Sequence, residues 1–421
     1  VLLVTVDTLR LDRLSGYGYE RPTSPHIDRL MAAGTRFRQA RCVEPLTSPS
    51  LASMLTSLYP HEHGASRNGL AMRPDLPSLP KILHRRGYRT AAMVGSWTLR
   101  DDLSGLAEHF ESYQEILTRR RWLGLIRGEA TAEDVTAAAV SFVEEHRAAE
   151  PLRPFLLWVH YVEPHAPYRF HQEFARRLGL EDSQAPSKSD RYDTEIAFVD
   201  EAVADLLRQL ERLDPGRPTA IVFAADHGEN LGEHDYWGHG RFLWEESLRI
   251  PLSITWQGRI PARQALDFPV SNLDVAPTLL GLLGLPVPEA FQGRNWAPVL
   301  LREEAPPSHS TTFHQAHKGA VSPNKDREQV RRKGLLEVSL VRDSHKETLR
   351  LKGGPEVQAF DLARDPGENK SLISGAPATA SAGLEAWLQE VEAGLRSADD
   401  LPPPALDAES VEKLRSLGYL D

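Results

Sequence analysis

Short, uninterrupted apolar runs punctuate this chain. Val1–Val6 reads VLLVTV, and comparable runs recur at Arg89–Met93, Phe155–Val159, Thr219–Ala224 and Pro251–Thr255. A run of this length without polar alternation marks a strand covered on both faces, the habit of a mainly parallel sheet. Between the runs the apolar period lengthens to three and four. Thr131 with Asp134 makes a capping box ahead of Val135, Ala139, Phe142 and Val143, which predicts the start of an amphipathic helix. Ile196, Val199, Val203, Leu206, Leu210 and Leu213 then mark one apolar helix stripe. Strands alternating with such helices predict an α/β layered domain with a mainly parallel central sheet flanked by helices, expected over residues 1–305.

The pattern changes after that. Residues 306–334 are polar, begin with Pro306-Pro307, and carry a basic patch at Arg327, Arg331, Arg332 and Lys333. They read as a linker or surface loop whose charges form a solvated face. Leu335–Val341 alternates like a half-solvated antiparallel strand, with strand-like pieces onward to Leu362. A small C-terminal subdomain over 335–421 is therefore expected, an antiparallel sheet with a helical tail. The tail breaks at Pro402–Pro404 and ends in a helix from Ser410 to Leu417, with Gly418 just past its end.

Composition acts mainly by exclusion. The 421 residues hold 49 Lys+Arg against 59 Asp+Glu, a formal charge of −10, so a nucleic-acid partner is not expected. Cys42 is the sole cysteine, which removes disulfide frameworks and multi-cysteine metal sites. No apolar run approaches the ~20 residues of a membrane helix, so no span is expected in this chain. Val1 already lies inside a strand-like run, so whether a signal or anchor was trimmed stays open. Compartment and oligomeric state stay open.

Candidate chemistry begins at the strand ends, because ligands of open α/β sheets gather beyond the C-terminal edges of the strands. Asp7 follows the first run directly, and Asp226-His227 follow Thr219–Ala224. Taken singly, each is an ordinary strand-end capping residue. Met at one edge, two carboxylates and an imidazole suit zinc or manganese, or calcium if more oxygens join them.

A longer constellation resembles a known family. Thr47-Ser48-Pro49-Ser50-Leu51, Leu55-Thr56-Ser57, Tyr59-Pro60-His61 and His63-Gly64 are similar to the sulfatase signature. Asp226-His227-Gly228 with Leu231-Gly232-Glu233-His234, Glu245 to Leu252, Asp274-x-x-Pro277-Thr278, and Phe360-Asp361-Leu362 with Asp365-Pro366 and Glu368 resemble its later landmarks. The resemblance runs in order from Val1 to about Leu372 and implies the fold of the alkaline phosphatase superfamily. It also makes a periplasmic or secreted location plausible, with a cytoplasmic one open.

The departures are informative. Thr47 stands where sulfatases carry the cysteine that becomes formylglycine, and Cys42 lacks the proline two residues on. Leu51 replaces the motif arginine, Thr8 the second aspartate of the N-terminal pair, and Ser96 and Thr98 the lysine and histidine of Gly-Lys-Trp-His. His239 stands at a usual lysine position. Asp7, Pro49, Ser50, His165, Asp226 and His227 are retained. The resemblance thus implies a metal site of Asp7, Thr47, Asp226 and His227. One ion is expected; a second on His165, His239 and Glu163 is the alternative. Threonine has one oxygen, so it cannot expel sulfate by carbonyl re-formation as a formylglycine hydrate does. A threonine phosphate, in contrast, is resolved by attack at phosphorus.

The main expectation is accordingly a metal-dependent hydrolase, or transferase, of phosphate diesters or phosphonate and phosphate monoesters. It would act through a phospho-threonine on Thr47, as a threonine-nucleophile variant resembling phosphodiesterases, phosphonate monoester hydrolases and phosphoethanolamine transferases. Those relatives imply that His165 and His239 bind substrate oxygens, one of them protonating the leaving group, and that Asn68 and Thr98 contact substrate. The substrate would be a small-molecule or a lipid- or glycan-linked ester. Two alternatives stand beside this: a sulfate ester hydrolase without formylglycine, and a catalytically reduced metal-binding protein. His314 and His317 read as a solvated loop pair, His61 and His63 as supports of the nucleophile helix, Arg10 and Asp12 as structural, and Glu229 as support for His227.

Overall fold

The computed structural model describes residues 1–118, 120–121, 126–181, 185–319, 334–353, 356–373, 379–397 and 412. Eight segments build the central sheet: β1 (Leu2–Val6), β2 (Thr35–Arg41), β3 (Arg89–Val94), β4 (Ser112–Glu115), β5 (Phe155–Tyr161), β6 (Ile221–Ala225), β7 (Leu252–Thr255) and β8 (Gln264–Ser271). Their order is β8-β2-β7-β6-β1-β5-β3-β4. β1 lies at the centre, parallel to both β5 and β6, with every residue buried. Such double coverage explains why these strands read as continuous apolar runs. β7 is antiparallel to both neighbours, which makes the sheet mixed; a fully buried strand carries no side-chain period that would reveal its direction.

Helices cover the sheet. Those that matter here are α1 (Pro25–Ala32), α2 (Thr47–Thr56), α3 (Ala132–Ala149) and α4 (Lys188–Leu213). α3 starts at the Thr131/Asp134 capping box and packs on β5 and α4. Asp200 of α4 is buried and accepts hydrogen bonds from the backbone N–H of His26 (3.0 Å) and Ile27 (2.8 Å) at the start of α1. Burial raises its carboxyl to about 7. The folded protein therefore keeps a proton that the unfolded chain releases near pH 4, and this group's contribution is full below that value and lost as pH rises through 7. Asp200→Asn, which keeps an acceptor oxygen, is expected to gain ~1–3 kcal/mol over the parent at pH 8 and roughly a third of that at pH 5. Denaturant titration at both values tests this, and an equal effect at the two would exclude it.

The C-terminal sheet has four antiparallel strands in sequential order: β9 (Thr311–His317), β10 (Leu335–Arg342), β11 (His345–Arg350) and β12 (Glu356–Asp361). β9 lies inside the stretch expected as linker. Its inward residues are polar yet paired, which hid the strand from an apolar pattern: His314 Nδ1 donates to the Cys42 carbonyl (2.8 Å), His317 Nδ1 meets Glu44 (3.0 Å), and Gln315 meets His61 (2.9 Å). His314 and His317 are thus buried in a strand and not solvated on a loop. Helix α5 (Ala382–Ser397) covers this sheet with Leu384, Trp387, Val391 and Leu395. A buried chain of charge joins the two sheets: Arg41 to Glu245 (2.7 Å), Glu245 to Lys346 (3.2 Å) and Lys346 to Glu368 (2.8 Å). The basic patch at Arg327–Lys333 lies outside the described residues, as does the expected tail helix, save Glu412.

Candidate active site

Three neighbouring strands deliver the polar residues to one edge. Asp7 follows β1, Asp226 follows β6, and His160 is the penultimate residue of β5, in register with Thr5. Thr8 then takes the left-handed region (φ 53°), an uncommon conformation for a β-branched residue. That turn lets the Thr8 N–H donate to Asp226 Oδ1 (3.0 Å), which also accepts from the His227 N–H (2.7 Å). Asp226 is held by one oxygen and extends the other.

The second oxygen meets a cage. Asp226 Oδ2 lies 3.5 Å from His227 Nε2, Asp7 Oδ1 lies 3.8 Å from the same nitrogen, and Asp7 Oδ2 lies 3.8 Å from His160 Nε2. Ligand atoms of Asp7, His160 and Asp226 fall within 4.8 Å of one another. The imidazoles are oriented from behind. His227 Nδ1 donates to the Gly228 carbonyl (2.9 Å) and turns Nε2 inward. His160 Nδ1 sits 2.9 Å from Thr5 Oγ1, which also accepts from Trp158 Nε1 (2.8 Å). Such back-bonding sets the tautomer of a ligating histidine.

Thr47 enters from α2 as its first residue, fully buried, with Oγ1 3.5 Å from His227 Nε2. Four contacts fix this helix start. Asn68 Oδ1 accepts from the Ser48 N–H (3.1 Å), Ser48 Oγ donates to the Thr98 carbonyl (2.8 Å), Ser50 Oγ donates to the Asp226 carbonyl (2.5 Å), and Asn272 Nδ2 donates to Ser50 (2.9 Å). Pro49 sits in the first turn, where a missing N–H costs nothing. Asn68 and Thr98 therefore meet the site through the frame of α2. His63 supports the same helix through Ser53 (2.9 Å).

Two more imidazoles border this cluster on the cleft side. The His239 ring lies 4.3 Å from His227 and 5.6 Å from His165, centroid to centroid. His239 Nδ1 donates to the Pro45 carbonyl (3.1 Å), beside the N-cap of α2. Both His165 and His239 line a cleft of about 820 Å³ that also holds Tyr168, Glu229 and Trp237. Glu229 accepts from the Tyr168 hydroxyl (2.9 Å). Arg10 joins Asp12 and Glu233 in a structural ion pair (2.7 Å each).

Electrostatics set this cluster apart. Burial, with the Asp226 charge adding to it, pushes the Asp7 carboxyl well above its ordinary value. Burial also raises Asp226 to about 6 and lowers His160 to about 4 and His227 to about 3. His239 falls well below its usual value through burial and then the neighbouring His227 and His165. Asp7 Oδ1, Asp226 Oδ2 and His160 Nε2 are buried without a hydrogen-bond partner among the described residues. Carboxylates without compensation and neutral imidazoles, all aimed at one point, are the donor set a divalent cation satisfies. Cys42 is different: buried and weakly bonded to the Ser247 carbonyl (3.6 Å), with burial holding its thiol well above the usual range.

Of the residues expected from sequence, the structure gathers Asp7, Thr47, Asp226, His227, His165 and His239. His160 was not among the expected candidates. Its signal was an imidazole inside an otherwise apolar strand, but only the register with Thr5 reveals its place beside Asp7.

Comparison with known proteins fits this arrangement. A family model described as sulfatase matches residues 1–285, and one described as N-sulphoglucosamine sulphohydrolase, C-terminal, matches residues 232–392. Steryl-sulfatase of Rattus norvegicus is 26% identical over 74% of this chain and 72% of its own length. N-acetylglucosamine-6-O-sulfatase of Bacteroides thetaiotaomicron is 26% identical over 73% of this chain and 72% of its own. A protein solved in complex with its substrate D-glucosamine-2-N,6-O-disulfate superposes with a TM-score of 0.70 at 22% identity, covering 97% of this chain and 99% of that one.

These relatives correct the expectation of phosphate diester or phosphonate and phosphate monoester cleavage through a phospho-threonine: the proteins that align over nearly three quarters of the chain are sulfatases. The physical reason is twofold. A threonine sulfate is resolved by water attacking sulfur just as a phosphate is at phosphorus, so the oxygen count of the nucleophile does not select phosphorus. A sulfate monoester is also a monoanion, and the absent lysine and arginine of the motif are less costly for it than for a dianionic phosphate.

Proposed function

The chain belongs to the sulfatase family of the alkaline phosphatase superfamily, and from that premise we propose that it hydrolyses sulfate esters at Thr47 without a formylglycine. The observation that carries the reading is Thr47 Oγ1, buried at the head of α2 and 3.5 Å from His227 Nε2, an imidazole that borders the cage of Asp7, Asp226 and His160. Asp7, Asp226, His227 and His160 would hold one divalent ion (zinc, manganese or calcium), with Thr47 at the open position. Bound there, such an ion supplies a Lewis acid that lowers the hydroxyl pKa of Thr47 and balances charge on the sulfuryl oxygens.

Thr47 Oγ1 forms a bond to sulfur as the bond from sulfur to the alcohol oxygen breaks, and, since His227 Nε2 is a ligand, the Thr47 proton passes to whichever of His165 and His239 then protonates the leaving oxygen. His165 and His239 hold the sulfuryl oxygens from the cleft side, and one of them hands a proton to the departing alkoxide. Water then attacks sulfur, hydrogen sulfate departs, and the oxygen returned to Thr47 regains its proton. Asn68 and Thr98 keep the first turn of α2 aligned throughout, which is the positioning that attack requires. A catalytically reduced protein would have no use for a threonine hydroxyl fixed so closely against a ligand set.

Protein freed of metal and reconstituted in turn with zinc, manganese and calcium should be assayed on matched aryl sulfate, phosphate diester and phosphonate esters. Sulfate is expected to lead by kcat/KM with the preferred ion. A phosphorus ester in front would overturn the reading.

A further inference from the structure

The cleft that holds His165 and His239 has an outer wall of different character. Although the chain is acidic overall, the cleft lining carries four cations, Lys188, Arg191, Arg241 and Lys318, against one carboxylate, Glu229. Two of these cations sit where helix energetics disfavours them. Lys188 and Arg191 lie in the first turn of α4, beside the positive end of the helix dipole. Asp190, the acid nearest to them in sequence, is occupied elsewhere: it caps the helix through Ser187 (2.7 Å) and pairs with Arg21 (2.8 Å). Lys188 and Arg191 are spaced i, i+3, so they share one side of the helix.

Opposite them stands an aromatic residue that folding leaves uncovered. Trp237 is 47% exposed, one of three large apolar side chains so exposed among the described residues. Lys188 Nζ lies 4.4 Å from its ring centroid, within cation–π range. The ring rests over Gly232, whose φ is 111° and where a Cβ would lie 2.9 Å from the indole. The backbone there is thus shaped to seat the indole at the mouth of the cleft. The indole is thus committed, with Gly232 against it and the Lys188 ammonium over its ring, and the two cations it stands beside complement an anionic substituent of the substrate.

We propose that Lys188 and Arg191, with Trp237 positioning the Lys188 ammonium, form a specificity subsite that holds a second anionic group of the substrate, sulfate or carboxylate, away from the ester being cleaved. The inference rests on the sulfate-hydrolase reading for its reaction, but the subsite binds whether or not cleavage follows. It selects multiply charged sulfated carbohydrates over singly charged ones.

The test uses binding as well as turnover. In a Thr47→Ala background, calorimetry would compare glucosamine 2-N,6-O-disulfate with glucosamine 6-O-sulfate at low and high salt. The double variant Lys188→Gln/Arg191→Gln is expected to weaken the disulfate by about tenfold or more, and the monosulfate by much less. Salt should shrink the difference. Trp237→Ala, which unseats Lys188, should weaken the disulfate more than the monosulfate, with thermal melts confirming the fold of each variant. Equal losses for the two sugars in the double variant, or no loss, would overturn the subsite. Should the parent enzyme cleave no sulfate ester while the charge-dependent preference persists, the hydrolase reading falls and the subsite stands.

Discussion

Thr47→Ala is expected to lower kcat/KM on an aryl sulfate by about 10³- to 10⁵-fold, a loss of about 4–7 kcal/mol of transition-state stabilisation. The size follows from removing the atom that bonds to sulfur, leaving only binding and electrostatic help from the surroundings. The fold should survive. The start of α2 is held by Asn68 on the Ser48 N–H, by Ser48 on the Thr98 carbonyl and by Ser50 on the Asp226 carbonyl, none of which uses Thr47 Oγ1. A stability cost of only ~1–2 kcal/mol is expected for the deleted hydroxyl and methyl. Thr47→Ser keeps the oxygen and should retain activity to within about tenfold of the parent. Single-turnover kinetics with folded variants decides the matter: near-parental rates for the alanine variant would transfer the nucleophile's role to a water and refute the covalent step.

The fold was legible where one physical constraint dominated a segment. β1, β3, β5 and β6 are buried on both faces and read as apolar runs; α3 and α4 bury one stripe each and read at helical spacing. β9 was illegible because its buried residues are polar and satisfied pairwise by Cys42, Glu44 and His61, groups more than 250 residues away. Such partners come with the tertiary structure and leave no local period. The direction of β7 escaped for the related reason that a strand covered on both faces looks alike in either orientation.

The site divides along the same line. Asp7, Asp226 and His227 could be placed together because they follow strand-like runs directly, and sheets collect strand ends at one edge. His160 could not, since its relation to Asp7 depends on a register between β1 and β5 separated by some 150 residues of chain. The outer wall of the cleft was also hidden. Lys188 and Arg191 begin a helix, and Trp237 follows a turn, so each looks like ordinary surface until the fold sets them around one cleft. Reading the chemistry from Thr47 alone misled in the same way: its single oxygen pointed toward phosphorus, whereas the family-wide frame points to sulfur.

Asp226→Asn is expected to abolish metal-dependent stabilisation and to cut sulfate turnover by about 10³-fold or more, with a distinctive sign in the metal-free protein. Asparagine can keep the oxygen that accepts from the Thr8 and His227 N–H groups, so the backbone around the cage should hold. What it removes is the charge on the orphaned second oxygen. In chelated parent protein that charge is buried beside Asp7 with no cation to offset it, and both carboxyls are held above their ordinary values by burial, Asp7 additionally by Asp226. Neutralising one partner relieves that cost. The chelated variant should therefore melt at or above the chelated parent. On adding metal the order reverses, because an ion that binds only the folded parent stabilises it by about 2.7 kcal/mol at a hundredfold excess over Kd. Paired melts of the two proteins, with chelator and with saturating ion, read both signs at once. If metal lifts the variant as much as the parent, the ion is held elsewhere; if the chelated variant melts well below the chelated parent, Asp226 is a structural anchor whose charge the fold requires.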